Sequence, residues 1–157
     1  MRSFAYLRRL APTMGDISSI HKEVNGTSEV YRYLRAKDSK IAIGSGFPHK
    51  VVENIVHRLK WNNLIDFVSS AEKEGKGRPN PALIQSAMKL FEITDPKKVV
   101  KVGDTKMDVM EGKNAGCWTV AVLTGTQTRE MLKEENPDFI INSVHDLPDV
   151  LTQIQCL

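Results

Sequence analysis

A chain of 157 residues is about one domain long and can bury a core without covalent staples. Its 41% hydrophobic and 26% charged residues are ordinary for a globular protein, and it holds no run of about eighteen apolar residues that could span a membrane. Lys+Arg 22 against Asp+Glu 19 leaves a formal charge of +3, too small and too evenly spread to argue for a nucleic-acid partner.

The first 24 residues show no clear periodicity. Phe4, Tyr6, Leu7 and Leu10 suit a helix or a strand, and Pro12 and Gly15 break either one. From residue 25 onward helix-like and strand-like segments alternate, which predicts an α/β fold with a parallel sheet. Val30, Tyr31 and Leu34 mark a helix over 27–37, with Thr27 or Ser28 as its N-cap. Ile41, Ala42 and Ile43 form a strand apolar on both faces, ending in a Gly44–Ser45–Gly46 turn. Val51, Val52, Ile55, Val56 and Leu59 stripe a helix over 48–60, with Pro48 at its start.

A weaker strand covers 66–69, and EKEGKGRPNP reads as a loop. Asn80 and Pro81 read as the N-cap and first position of the next helix, whose buried face is Leu83, Ile84, Ala87, Met88 and Phe91. Val99, Val100 and Val102 form a strand ending at Gly103 and Asp104, and a helix follows over 106–115, stopped by Gly116. Then come a strand over 118–123, a helix over 128–135, a strand over 139–141 and a helix over 147–154.

Ligands of an open parallel sheet bind beyond the carboxyl ends of its strands. Ser45, Asp104 and Thr124 follow three such ends, Asp108 lies one helical turn beyond Asp104, and Arg78 or Lys76 could reach the same rim from a loop. Two carboxylates at i and i+4 beside a strand end suit Mg²⁺, which keeps several waters and needs one or two acids. A hydroxyl and the backbone N–H groups of residues 44–46 suit phosphate oxygens, and a guanidinium adds a two-pronged partner for the same anion. Each residue also has a plainer reading: Ser45 as a turn residue, Asp104 as an N-cap, Asp108 as a solvated helix residue, Arg78 as a surface charge. The signal lies in their joint order. His21, His49, His57 and His145 are scattered and are assigned no chemistry, and Trp61 and Trp118 are expected in the core or at its rim. Cys117 and Cys156 make no disulfide framework and no metal spacing; one buried and one terminal thiol in a reduced, cytoplasmic protein is the expectation. No apolar stretch of the signal-peptide kind follows Arg2, Arg8 and Arg9.

GSG after a strand, GRPNP before a helix and VVKVGDTKMDVMEGKNAG resemble the second, third and fourth motifs of the haloacid dehalogenase (HAD) superfamily. In the fourth, Gly103, Asp104, Asp108, Gly112, Ala115 and Gly116 all fall in place. The arrangement is most similar to the phosphonatase (phosphonoacetaldehyde hydrolase-like) branch. GRP-x-P carries Arg where most relatives have Lys, and VKVGDT, NAG-x-WTV and the closing Asn142–Ser143 to Asp146–Leu147–Pro148 pattern recur. The resemblance covers roughly residues 25 to 154. It implies a Rossmann-like α/β sandwich. By carry-over, Ser45 and Gly46 would bind the phosphoryl group. Arg78 would steady charge on the nucleophile and the phosphoryl oxygens. Asp104 would bind Mg²⁺ directly, and Asp108 directly or through water.

One departure stands out. The family's Asp nucleophile follows the first strand, well upstream of Ser45. Asp16 follows no apolar strand, Asp38 lies in a helix-to-strand turn, and neither fits. The cap domain, inserted after the first motif, is missing unless residues 1–20 are its remnant, and so is the cap lysine that forms an imine with the aldehyde. The expectation is therefore a truncated chain: an N-terminal appendage or cap remnant over 1–24, then a partial HAD-like core over 25–157 lacking the usual central first strand. Either the two strands flanking that gap close on each other, or the N-terminal segment fills it with Phe4–Leu7, or the sheet is strained and partly exposed. An uncovered strand would favour a homo-oligomer.

Function is expected at the level of a Mg²⁺-dependent phosphohydrolase core acting on a small phosphorylated or phosphonate metabolite. This chain, without the acid, would be inactive. The alternative is a non-catalytic phosphate- and Mg²⁺-binding module or regulatory partner. A plain flavodoxin-like domain leaves the order of Ser45, Arg78, Asp104 and Asp108 unexplained.

Overall fold

Five apolar runs of three to six residues pair side by side as parallel strands, and a sixth joins them from the N-terminal region. The computed structural model describes residues 4–7, as backbone, and residues 22–154. The strands are β1 (Phe4–Leu7), β2 (Lys40–Ser45), β3 (Phe67–Ser70), β4 (Val99–Gly103), β5 (Trp118–Val122) and β6 (Phe139–Ile141). Their order across the sheet is β3-β2-β1-β4-β5-β6. The helices are α1 (Thr27–Ala36), α2 (His49–Arg58), α3 (Ala71–Glu74), α4 (Ala82–Leu90), α5 (Lys106–Asn114), α6 (Arg129–Lys133) and α7 (Leu147–Gln153).

Alternation along each strand assigns the two faces. Ile41, Ile43, Val100, Val102, Val120 and Val122 point to one side, under Val30, Tyr31 and Leu34 of α1, Val52, Ile55 and Val56 of α2, and Leu147, Val150 and Leu151 of α7. Ala42 and Val99 point to the other side, with Leu83, Ile84 and Ala87 of α4 and the buried Cys117. Ala121 shares that side with Val109 of α5 and Leu132 of α6. Helices on both faces explain why the strands read as apolar runs. Trp61 is fully buried in the first layer, edge-on to Tyr31, and its indole N–H lies within hydrogen-bond distance of the Glu23 carboxylate and the Ser28 hydroxyl. Trp118 sits at the rim, under the Lys97 ammonium.

The central position is not vacant. Phe4, Ala5, Tyr6 and Leu7 pair in parallel with Lys40 to Ile43 on one side and with Val99 to Val102 on the other. Of the three outcomes considered for the missing first strand, the filling of the gap by Phe4–Leu7 is the one observed. These four residues therefore belong to the core sheet and not to an appendage; of the stretch 1–24, residues 8–21 lie outside the described residues, as do Asp16 and His21. With β2 and β4 both paired to β1, the inner edge from which self-association was argued does not exist. Cys156 also lies outside the described residues.

Smaller differences concern element ends. The N-cap of α1 is Gly26, at φ 86, and not Thr27 or Ser28. Gly44 and Ser45 are in β2, paired with Ser69 and Ser70 of β3, and do not belong to the turn. Part of the EKEGKGRPNP loop is the single-turn α3, capped by the Ser70 hydroxyl accepting from the Lys73 N–H. Pro48 and Pro81 are N-caps, each one position earlier than expected. Asn80 still acts at the start of α4, because its side-chain oxygen accepts from the Ala82 N–H at 3.1 Å.

Candidate functional site at the carboxyl edge of the sheet

β2, β4 and β5 end level with one another, and the residues that follow them form one rim. Ser45, 4% exposed, closes β2, and its Oγ accepts from the Phe47 N–H at 3.1 Å as the chain turns toward α2. The hydroxyl oxygen is thereby fixed, with its proton left to donate. Gly46 is exposed, and a Cβ built on it would sit 3.0 Å from Arg78 Nη2, so the absence of a side chain admits the guanidinium to this turn.

Arg78 reaches the rim from the loop before α4. Its Nη1 donates to Asp108 Oδ1 at 3.0 Å, and its side chain is 13% exposed. The loop is tied to α5 by Asn114 Nδ2, which donates to the Pro79 carbonyl at 2.9 Å. Lys76, the other cation weighed for this role, is exposed.

Asp104 follows β4 and is 5% exposed. Its Oδ2 accepts from the Thr126 N–H at 3.4 Å, and a Cβ on Gly125 would overlap it at 2.2–2.6 Å, so the chain after β5 lies directly against this carboxylate. Thr124, one residue earlier, is exposed. Asp104 is not a helix cap: the N-cap of α5 is Thr105.

Asp108 is not a solvated helix residue. It is 1% exposed, and among the described residues its carboxylate meets four donors. Oδ1 faces Arg78 Nη1 at 3.0 Å and Lys101 Nζ at 3.3 Å. Oδ2 accepts from the Thr105 N–H at 3.1 Å and the Thr105 hydroxyl at 2.6 Å. Lys101 projects from β4 under α5 and also meets Glu111 Oε2 at 2.8 Å. Gly112 allows α5 to lie this close, since a Cβ there would come within 2.6 Å of Thr119 Cγ2 and 2.9 Å of Lys101 Cβ.

The four expected residues thus share one edge. Ser45–Gly46 leads to Arg78, Arg78 to Asp108, and Asp108 through Gly103 to Asp104. A Cβ on Gly103 would meet Asp108 Cβ at 2.3 Å, which shows how closely the last link is packed. Asp38 lies at the opposite end of β2, in a left-handed turn at φ 56. β1 is followed in the sequence by Arg8 and Arg9, so no acid comes directly after the central strand.

The donor set bears on a metal. Among the described residues no group of three or more His, Cys, Asp and Glu is arranged around a common point. Mg²⁺ needs fewer, because one or two carboxylates suffice when waters and substrate phosphate complete the shell. Asp104 fits a direct ligand. Asp108 already meets four donors among the described residues, so it fits a direct ligand poorly and would reach the metal through water only by exchanging one of those contacts.

Lys101, Glu111 and Thr105 were not singled out by the sequence reading. A lysine in the middle of VVKVG, on a strand buried on both faces, was the available signal, because a charge there needs an opposite charge nearby.

The phosphonoacetaldehyde hydrolase of Latilactobacillus sakei is 31% identical over 154 residues, covering 81% of this chain and 57% of that protein. The phosphonoacetaldehyde hydrolase of Bacillus cytotoxicus is 26% identical, covering 92% of this chain and 69% of that protein. The crystal structure of a phosphonoacetaldehyde hydrolase-like protein from Oleispira antarctica superimposes with a TM-score of 0.80 at 21% identity, covering 88% of this chain and 59% of that one. The chain therefore spans little more than half the length of the first of these relatives. The haloacid dehalogenase-like hydrolase family model matches residues 5–122. The chain belongs to the haloacid dehalogenase-like hydrolase family.

Proposed function

We propose that this chain is the phosphate- and metal-binding core of a phosphonatase-like hydrolase, and that in its present form it binds an anion without turning it over. The observation that carries the reading is the contact between Arg78 and Asp108. It holds a cation against the turn at Gly46, on the rim where Asp104 stands. The Ser45 hydroxyl and the Gly46 backbone N–H would grip two phosphoryl oxygens, and Arg78 would take a third. Asp104 would hold Mg²⁺ directly and Asp108 through water. When bound, the metal would neutralise phosphoryl charge and orient the group for in-line attack.

The substrate class is a small phosphorylated or phosphonate metabolite, as the names of the relatives suggest. An enzyme of this branch would form a phospho-aspartyl intermediate on the acid after its first strand. Here Arg8 follows β1, so turnover by this chain is negligible. Calorimetry with inorganic phosphate and Mg²⁺ tests the binding, and p-nitrophenyl phosphate tests the chemistry. The expected result is saturable binding that weakens in Arg78→Met and Asp104→Ala, with no hydrolysis above buffer. Mg²⁺-dependent hydrolysis that disappears in Asp104→Ala would overturn the inactivity, and absence of phosphate binding would overturn the site.

The position of Arg8 also favours a second reading, a binding module with a regulatory role. A transcript carrying an in-frame Asp-x-Ala or Asp-x-Asp after an apolar strand upstream of Met1 would decide for the enzyme.

A further inference from the structure

Arg78 holds Asp108 by one nitrogen. A guanidinium facing a carboxylate commonly uses two prongs in parallel, so a single-pronged contact between the half-buried Arg78 and the buried Asp108 calls for a cause. The cause is visible in what else Asp108 binds. Oδ2, the oxygen a second prong would need, is occupied by the N–H and the hydroxyl of Thr105. Oδ1, the oxygen Arg78 does use, is shared with Lys101 Nζ at 3.3 Å, so Arg78 is not the sole cation there. Lys101 is itself held in place by Glu111 at 2.8 Å, below α5. The other terminal nitrogen of Arg78 lies instead against the Gly46 backbone, 3.0 Å from the point where a Cβ would stand.

We propose that Thr105 and Lys101 are positioning residues for Arg78: by occupying Asp108 they restrict the guanidinium to one bond there and keep Nη2 turned to the Gly46 turn, free to grip a tetrahedral oxyanion. This deepens the reading of that turn as the phosphoryl site and rests on it. Neither Thr105 nor Lys101 needs to touch the anion. Loss of the Thr105 hydroxyl would open Oδ2 to Nη2 and let Arg78 close on Asp108 with both prongs. Loss of Lys101 would remove a competing cation from Oδ1 and draw Arg78 the same way. Either change withdraws one charge-assisted hydrogen bond from the anion.

The test is titration of the whole chain with inorganic phosphate by calorimetry, beside thermal unfolding of each variant. Thr105→Val is expected to weaken phosphate binding about tenfold, the scale of one hydrogen bond to a charged group. Thr105→Ser, which keeps the hydroxyl, is expected to restore binding to about the original value. Lys101→Met combined with Glu111→Leu removes both buried charges together, so its melting temperature is expected to hold or rise while phosphate binding weakens as in Thr105→Val. Arg78→Met is the reference for the site. If Arg78→Met weakens binding but Thr105→Val and the double variant bind like the parent, the positioning role is overturned and the site stands. If Thr105→Val fails to fold, the double variant and Thr105→Ser decide the matter alone. If the parent binds no phosphate, or Arg78→Met changes nothing, the site reading falls and takes this proposal with it.

Discussion

Lys101 Nζ lies 2.8 Å from Glu111 Oε2, with the side chains 1% and 0% exposed. The pair sits between the sheet and α5, behind the rim formed by Ser45, Arg78, Asp104 and Asp108. Glu111 Oε1 has no hydrogen-bond donor among the described residues, so the carboxylate is only partly compensated for leaving water. A buried ion pair of this kind weakly favours the fold at best, but loss of Lys101 strands Glu111, whereas loss of Glu111 leaves Lys101 facing Asp108 at 3.3 Å.

Lys101→Met alone should therefore destabilise the protein by about 3 kcal/mol or more, while Lys101→Met with Glu111→Leu should be neutral or stabilising. Urea unfolding of the two single variants and the double gives the coupling. Additive losses in the three variants would contradict the pairing.

Asp108→Ala should cost about 3–5 kcal/mol, because it leaves Lys101 and Arg78 without the carboxylate they share and removes the acceptor of the Thr105 N–H. Denaturant midpoints measure it. A loss below about 1 kcal/mol, the range of a solvated surface residue, would show that this carboxylate is not buried as described.

Gly112→Ala should destabilise by about 1–3 kcal/mol, since its Cβ would overlap Thr119 Cγ2 and Lys101 Cβ and push α5 off the sheet. The residue is mid-helix, where alanine is otherwise preferred over glycine by about 1 kcal/mol. The sign of the change in melting temperature thus separates steric overlap from helix propensity.

Burial pushes the Cys117 thiol up to about 12; the ammonium groups of Lys97 and Lys101 oppose this shift without cancelling it. At pH 8 the folded protein should therefore hold this cysteine as an inert thiol. In a Cys156→Ser background, trapping by a thiol reagent should proceed at the rate of unfolding. The folded value lies above the unfolded one, so the proton bound at Cys117 favours the folded state. That contribution is full below about pH 8.5 and is lost as pH rises toward 12. Immediate labelling of the native protein at pH 8 would contradict the burial.

The sequence by itself determined most of the scaffold and the order of the rim. Strands buried on both faces must be apolar runs, and helices packed on one side must be striped. Ile41–Ile43, Val99–Val102 and the α2 stripe were therefore legible without coordinates. Ser45, Gly46, Arg78, Asp104 and Asp108 were legible through family motifs, which carry their order but not their contacts. Only the tertiary structure decided where Phe4–Leu7 goes. Four residues with ambiguous periodicity acquire a place in the sheet from two partners more than thirty residues away, and strand pairing of that range leaves no local mark. It also decided what Lys101 and Asp108 are. A charge can sit inside a protein only if opposite charge is already there, and whether Glu111 and Arg78 would arrive depends on how α5 and the loop before α4 close over β4.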